Sequence, residues 1–155
     1  MGGTRLVVVA PVRAAEALVG AFHDGRGLPA HVTLVAPQEV EGLEAALHGW
    51  RRALEGAASF AVRFTALGWF GSSVLYLAPE DAGPLDALAS RVRPAGSAGE
   101  FRAHLTLATG RDHPDWAAVE AAGRAALPLR ASVEAVTVYR WRTPRWRILD
   151  TTALT

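Results

Sequence analysis

Phe101-Arg102-Ala103-His104-Leu105-Thr106-Leu107-Ala108 has a counterpart 73 residues earlier, Pro29-Ala30-His31-Val32-Thr33-Leu34-Val35-Ala36. Both stretches read Ala, His, aliphatic, Thr, Leu. Short runs of β-branched and aliphatic residues form strands, and strand side chains alternate between faces. His31 and Thr33 therefore share one face, while Val32 and Leu34 point to the other, into a core. His104 and Thr106 repeat this arrangement. Two imidazoles at one cleft can remove a proton from an attacking oxygen and protonate a leaving one, because imidazole titrates near neutral pH. Hydroxyls beside them can donate to non-bridging phosphate oxygens, where charge builds up. One His-x-Thr on a strand is an ordinary occurrence. Two copies in matching apolar frames mark His31 and His104 as a catalytic pair, with Thr33 and Thr106 as phosphate ligands.

The elements around the two stretches also repeat. Arg5–Ala10 is an apolar run read as a buried strand ended by Pro11. Ala15, Leu18, Val19 and Phe22 give Val12–Phe22 a helical spacing. After the loop 23–27 comes the first His strand, closed by Pro37. Leu43, Ala46, Leu47, Trp50 and Leu54 make Glu41–Leu54 an amphipathic helix. Phe60–Trp69 alternates as a strand, Gly71-Ser72-Ser73 turns, and Val74–Leu77 returns. In the second half Leu85–Val92 is a helix, 93–99 a loop rich in Pro, Gly and Ser, and the second His strand follows. A helix beginning at His113-Pro114-Asp115 and strands at Ala131–Arg142 and Trp146–Thr152 complete the chain. The expectation is one domain over 1–155, built by internal duplication. Its two lobes, roughly 1–70 and 71–155, would face each other with the His strands at their seam and strands free to exchange.

The length of 155 residues suits one domain with a real core. Hydrophobic residues at 50% against 20% charged exclude a disordered chain. The net charge of +1 gives no support to a polyanion partner. All sixteen cationic residues are Arg; that bias, with the Ala and Gly load, reads as coding composition. Absence of Cys excludes disulfides, thiolate nucleophiles and Cys-based zinc sites. Leu6–Ala10 is too short for a signal peptide, and no apolar run reaches spanning length. The expectation is a cytoplasmic monomer without membrane contact. No nucleophile elbow, Walker loop, zincin motif or dinucleotide fingerprint is present. No third ligand accompanies the two His at recognisable spacing, so neither a metal nor a cofactor is expected. His23, His48 and His113 have no counterpart in the other half and read as surface residues.

Two features bear on substrate. Arg102 shares a strand face with His104 and Thr106 and is a further candidate phosphate ligand. In the segment 139–147, Tyr139, Trp141 and Trp146 interleave with four arginines, Arg142 among them. Such a hairpin stacks a base and holds a backbone phosphate, or else covers core edges. Trp69 and Phe70 offer a second aromatic platform or core packing.

The paired motifs His31-Val32-Thr33-Leu34 and His104-Leu105-Thr106-Leu107 resemble those of the 2H phosphoesterase superfamily. The chain is similar to its bacterial branch of 2′-5′ RNA ligase and RNA 2′,3′-cyclic phosphodiesterase-like proteins. The resemblance covers nearly the whole chain. It implies an α+β fold of two pseudo-symmetric lobes, with antiparallel-rich sheets around a central cleft. It also implies metal-independent hydrolysis of a 2′,3′-cyclic phosphate on an RNA end or nucleotide, in some members with reversible 2′-5′ ligation. By resemblance His31 is the acid to the leaving oxygen, His104 the base to water, and Thr33 and Thr106 hold the phosphate. Two alternatives stay open: a non-catalytic module binding a nucleotide or RNA end, and a phosphodiesterase for a small non-nucleic-acid ester.

Overall fold

The computed structural model describes residues 3–22, 27–94 and 101–155. It is an α+β fold: among the described residues eight strands form one curled, fully antiparallel sheet, and four α-helices cover one face. The strands are β1 (Thr4–Pro11), β2 (His31–Val40), β3 (Phe60–Phe70), β4 (Val74–Pro79), β5 (Leu105–Thr109), β6 (Leu129–Val133), β7 (Ala135–Arg142) and β8 (Arg145–Ala153). The helices are α1 (Glu16–Gly20), α2 (Leu43–Ala53), α3 (Gly83–Val92) and α4 (Trp116–Ala126). Spatial order across the sheet is β6-β3-β4-β5-β2-β1-β7-β8. The two His stretches are therefore neighbours at the middle of one sheet, joined through the pair Val32 and Leu105.

Strands of each half pair with strands of the other. β3 pairs with β4 of the second half, and β7 pairs with β1 of the first. Curling brings the outer strands together: only Glu134 separates β6 from β7, and the Thr155 carbonyl accepts from the N–H of Ser59, just before β3.

Alternation along the strands produces two unlike faces. Leu6, Val8, Ala10, Val32, Leu34, Leu75, Leu77, Leu105 and Leu107 pack under the helices in the main core. Each helix supplies its apolar stripe. Leu85, Leu88, Ala89 and Val92 of α3 are buried at helical spacing, and Leu47 and Trp50 of α2 join them. Trp50 Nε1–H donates to the Val92 carbonyl at 3.2 Å, tying α2 to α3. Arg51 meets Asp150 with two bonds of 3.0 and 2.9 Å, tying α2 to β8. That pairing holds the Arg51 guanidinium above its ordinary pKa. On the opposite face a small apolar patch, Val7, Val9 and Tyr139 with Leu28 and Trp146, is the only such cluster among the described residues.

Phe64 is the largest fully buried side chain among them. Phe64→Ala removes an aromatic ring from a close-packed core and is expected to cost about 3–5 kcal/mol. A lower urea midpoint at unchanged slope would show it.

Four expectations shift. β2 does not stop at Pro37 but runs to Val40: the register between β1 and β2 slips between Val8/Val35 and Leu6/Gln38. A bulge at Ala36-Pro37 thus accommodates the missing N–H of proline. The run 131–142 is two strands, because at Glu134 the chain leaves β3 and joins β1. The last helix starts at Trp116, after Asp115, whose side chain caps it by accepting the Ala118 N–H at 3.2 Å. The segment 12–22 is a 3-10 turn, Arg13–Ala15, followed by the short α1. His23, most of the 23–27 loop and most of the 93–99 loop lie outside the described residues.

Candidate active site

The site is the face of β2 and β5 that the helices do not cover. Val32 and Leu105 are fully buried on the helix side, and His31, Thr33, His104 and Thr106 are half-buried on the other. His104 stands one residue ahead of the hydrogen-bonded part of β5. Antiparallel register advances one strand as the other retreats. From the Val32–Leu105 pair it sets His31 across from Thr106, and Thr33 across from His104. Each imidazole thus has a hydroxyl on its own strand and another opposite.

Both rings are oriented in the same way. His31 Nδ1 lies 2.6 Å from the Pro29 carbonyl oxygen, and His104 Nδ1 lies 2.7 Å from that of Arg102. A carbonyl only accepts, so Nδ1 carries the proton in both rings. Nε2 is then the acceptor atom of each neutral imidazole. Thr33 Oγ1 is 3.1 Å from His31 Nε2 and donates to it while the ring is neutral.

An aromatic wall stands beside His104. The Phe70 ring lies edge-on at 4.8 Å between centroids, and Tyr76 lies at 5.3 Å. Phe70 and Tyr76 also touch each other, at 4.5 Å. Tyr76 is opposite Thr106 on β5 and opposite Gly68 on β3, so all three occupy the site face. A Cβ on Gly68 would overlap the Tyr76 ring; glycine there lets the ring lie across β3. Tyr76 and Gly68 did not stand out in the sequence. Their signal was the alternation of β3 and β4, legible only once their pairing with β5 is known. Trp69 faces the other way and packs on Trp116 at 4.9 Å.

Arg102 is exposed, with its guanidinium carbon 5.9 Å from the Phe70 centroid. That places it alongside His104. The aromatic hairpin reaches the same face from the other end of the sheet. Tyr139 is buried in the small apolar patch, and burial, followed by the charge of Glu16, pushes its phenol upward in pKa. Trp141 and Trp146 are cross-strand partners with ring centroids 5.3 Å apart. Alternation sends Arg142 to the opposite face from Trp141, so β7 does not bring it to the imidazoles. His48 and His113 are exposed and lie outside the site.

Two cavities flank the seam. One of about 490 Å³ is lined by Thr106, Thr109, Arg111, Leu28 and Trp146 among others. A capping box at Thr109 and Asp112 fixes the turn that carries Arg111. The other, about 670 Å³, lies behind His31 against Pro11, Pro29, Ala30 and Tyr139 and includes neither imidazole. Among the described residues, no three His, Asp or Glu side chains cluster as a metal site. No helix among them is long and apolar enough to cross a membrane.

Solved structures share this architecture over their full length. LigT of E. coli, crystallised with ATP, superposes with a TM-score of 0.67 at 21% identity, covering 100% of this chain and 99% of LigT. TT0787 of Thermus thermophilus gives 0.66 at 23% identity, with 97% of each chain covered. Usb1 of Kluyveromyces marxianus gives 0.54 at 13%, covering 97% and 96%. No curated protein matches the chain. The family model described as the 2′-5′ RNA ligase superfamily matches residues 8–145. With both His-x-Thr motifs inside that span, the chain belongs to the 2′-5′ RNA ligase superfamily, within the 2H phosphoesterases.

Proposed function

We propose that the protein is a metal-independent phosphodiesterase acting on the 2′,3′-cyclic phosphate of an RNA end or nucleotide. In this reading His104 Nε2 takes a proton from water as the water oxygen attacks phosphorus. The bond from phosphorus to one ribose oxygen breaks, and His31 gives that oxygen a proton. Thr33 and Thr106 donate to the non-bridging oxygens. In 2′-5′ ligation a ribose 5′-hydroxyl takes the place of water: His104 accepts its proton as its oxygen attacks phosphorus, the bond from phosphorus to the 3′-oxygen breaks, and His31 protonates that oxygen. The observation that carries the reading is the matched orientation of the two rings. Both have Nδ1–H engaged by a backbone carbonyl, both lie on one face of adjacent central strands, and each has a threonine across from it. The LigT structures containing 3′-AMP and ATP support a nucleotide as the substrate class. The Tyr76–Phe70 wall and Trp146 offer apolar surfaces on which a base can stack.

The test is a hydrolysis screen of the four 2′,3′-cyclic nucleotides and of 2′-5′-linked dinucleotides, with products resolved as 2′- or 3′-phosphates. Turnover of a cyclic nucleotide is expected. Tight binding without turnover would favour a binding module. Within an active enzyme, Thr33→Val and Thr106→Val are each expected to lose about 1.5–3 kcal/mol of transition-state stabilisation, since a hydroxyl donating to a charged oxygen is removed. The check is kcat/KM, which would fall roughly 10- to 150-fold.

A further inference from the structure

Glu16, the first residue of α1, belongs to neither motif, yet it is connected to one. Its Oε2 accepts the Ala30 N–H at 2.9 Å. That N–H and the Pro29 carbonyl are the two ends of a single peptide group, and the carbonyl accepts His31 Nδ1–H. A carboxylate, a peptide and an imidazole are thus linked in series. The next peptide is held as well: the Ala30 carbonyl accepts the Val12 N–H at 2.8 Å, and Ala30 is 1% exposed. Ala30 and Val12 are buried and Glu16 is exposed, so the peptide behind His31 cannot rotate without breaking one bond at the surface and one in the packed interior.

The second half has the imidazole and the peptide but not the carboxylate. His104 Nδ1–H donates to the Arg102 carbonyl, and among the described residues no carboxylate accepts the Ala103 N–H. The residue 73 positions after Glu16 is Ala89, fully buried in α3. The cation Arg102 instead flanks His104. Two rings alike in geometry therefore differ in the charge behind them.

We infer that Glu16 is a positioning residue that makes His31 the proton-carrying member of the pair. Its negative charge polarises the Pro29–Ala30 peptide, strengthens the carbonyl as an acceptor for Nδ1–H, and favours the imidazolium. Removing that charge removes the part of the pair's asymmetry that lies behind His31. The inference rests on the reading of His31 and His104 as an acid and base pair, and it supplies a physical reason for their roles. Among the described residues, the other titratable or charged groups near this peptide are Arg13 from the 3-10 turn, Glu134 between β6 and β7, Tyr139 of β7, and His104 across the seam. All of them stay in place when Glu16 alone is changed.

The experiment compares Glu16→Gln and Glu16→Ala in the full chain by NMR titration of the His31 ring and by the pH–rate profile. Gln keeps an oxygen for the Ala30 N–H and removes only the charge. In Glu16→Gln the His31 midpoint is expected to fall by roughly 0.5–1 unit, the scale of one charge acting across a single peptide at a partly solvated site. The alkaline limb of the rate profile should move down with it. Glu16→Ala also frees the peptide, so kcat should fall further, with KM nearly unchanged. An unchanged His31 midpoint in Glu16→Gln overturns the inference, whatever the Ala variant does. The NMR arm needs no substrate. A wild-type protein inactive on every cyclic phosphate would refute the proposed function and leave the Glu16–His31 linkage to be read on its own.

Discussion

Hydrolysis of a 2′,3′-cyclic nucleotide by the His104→Ala variant is expected to be slower by about 10²–10⁴-fold, the usual worth of a general base. The ring is held by one backbone bond and by two aromatic edges, Phe70 and Tyr76. Alanine leaves a pocket open to solvent rather than a hole in the main core, since Leu105 and Leu107 carry the packing on the other face. The loss should therefore appear in kcat with little change in the thermal midpoint. The double variant lacking both rings should lose less than the product of the single losses, because the two act as a unit. For the wild type, a bell-shaped pH–rate profile is expected, with limbs belonging to the coupled pair.

The second large effect separates the roles. His31→Ala is expected to lose about 10²–10⁴-fold on a cyclic nucleotide, where the ribose oxygen must be protonated as it leaves. On a phosphodiester with a strongly activated leaving group, such as a nitrophenolate, little protonation is needed. The His31→Ala variant should then recover most of its rate, and the His104→Ala variant should not. Rescue of His104→Ala alone would reverse the assignment. Full activity of both variants on cyclic phosphates would remove the pair from the mechanism.

Much of this site was legible in the chain because it is written in local alternation. His31, Thr33, His104 and Thr106 face one way and Val32, Leu34, Leu105 and Leu107 the other, a period-two pattern needing no tertiary knowledge. The repeated order of strands and helices was legible for the same reason. The sheet was less so. Nothing local in 131–142 marks Glu134 as the point where the chain changes partners, since the partner strands β3 and β1 lie far away in sequence. Pro37 signals an end only when a bulge cannot absorb it, and here the register of β1 does so. Tyr76 and Gly68 join the site through pairing with Thr106, and Glu16 through a backbone N–H fourteen residues on. Each is an ordinary residue in its own segment and gains its role from the fold.

The proposed chemistry requires one phosphate to be held between the two motifs. A crystal structure with inorganic phosphate bound tests this most directly. The expected result is a single phosphate with oxygens about 3 Å from Nε2 of both His31 and His104, and within hydrogen-bond reach of Thr33 and Thr106. A phosphate bound elsewhere, or touched by one motif while the other ring points away, would contradict it.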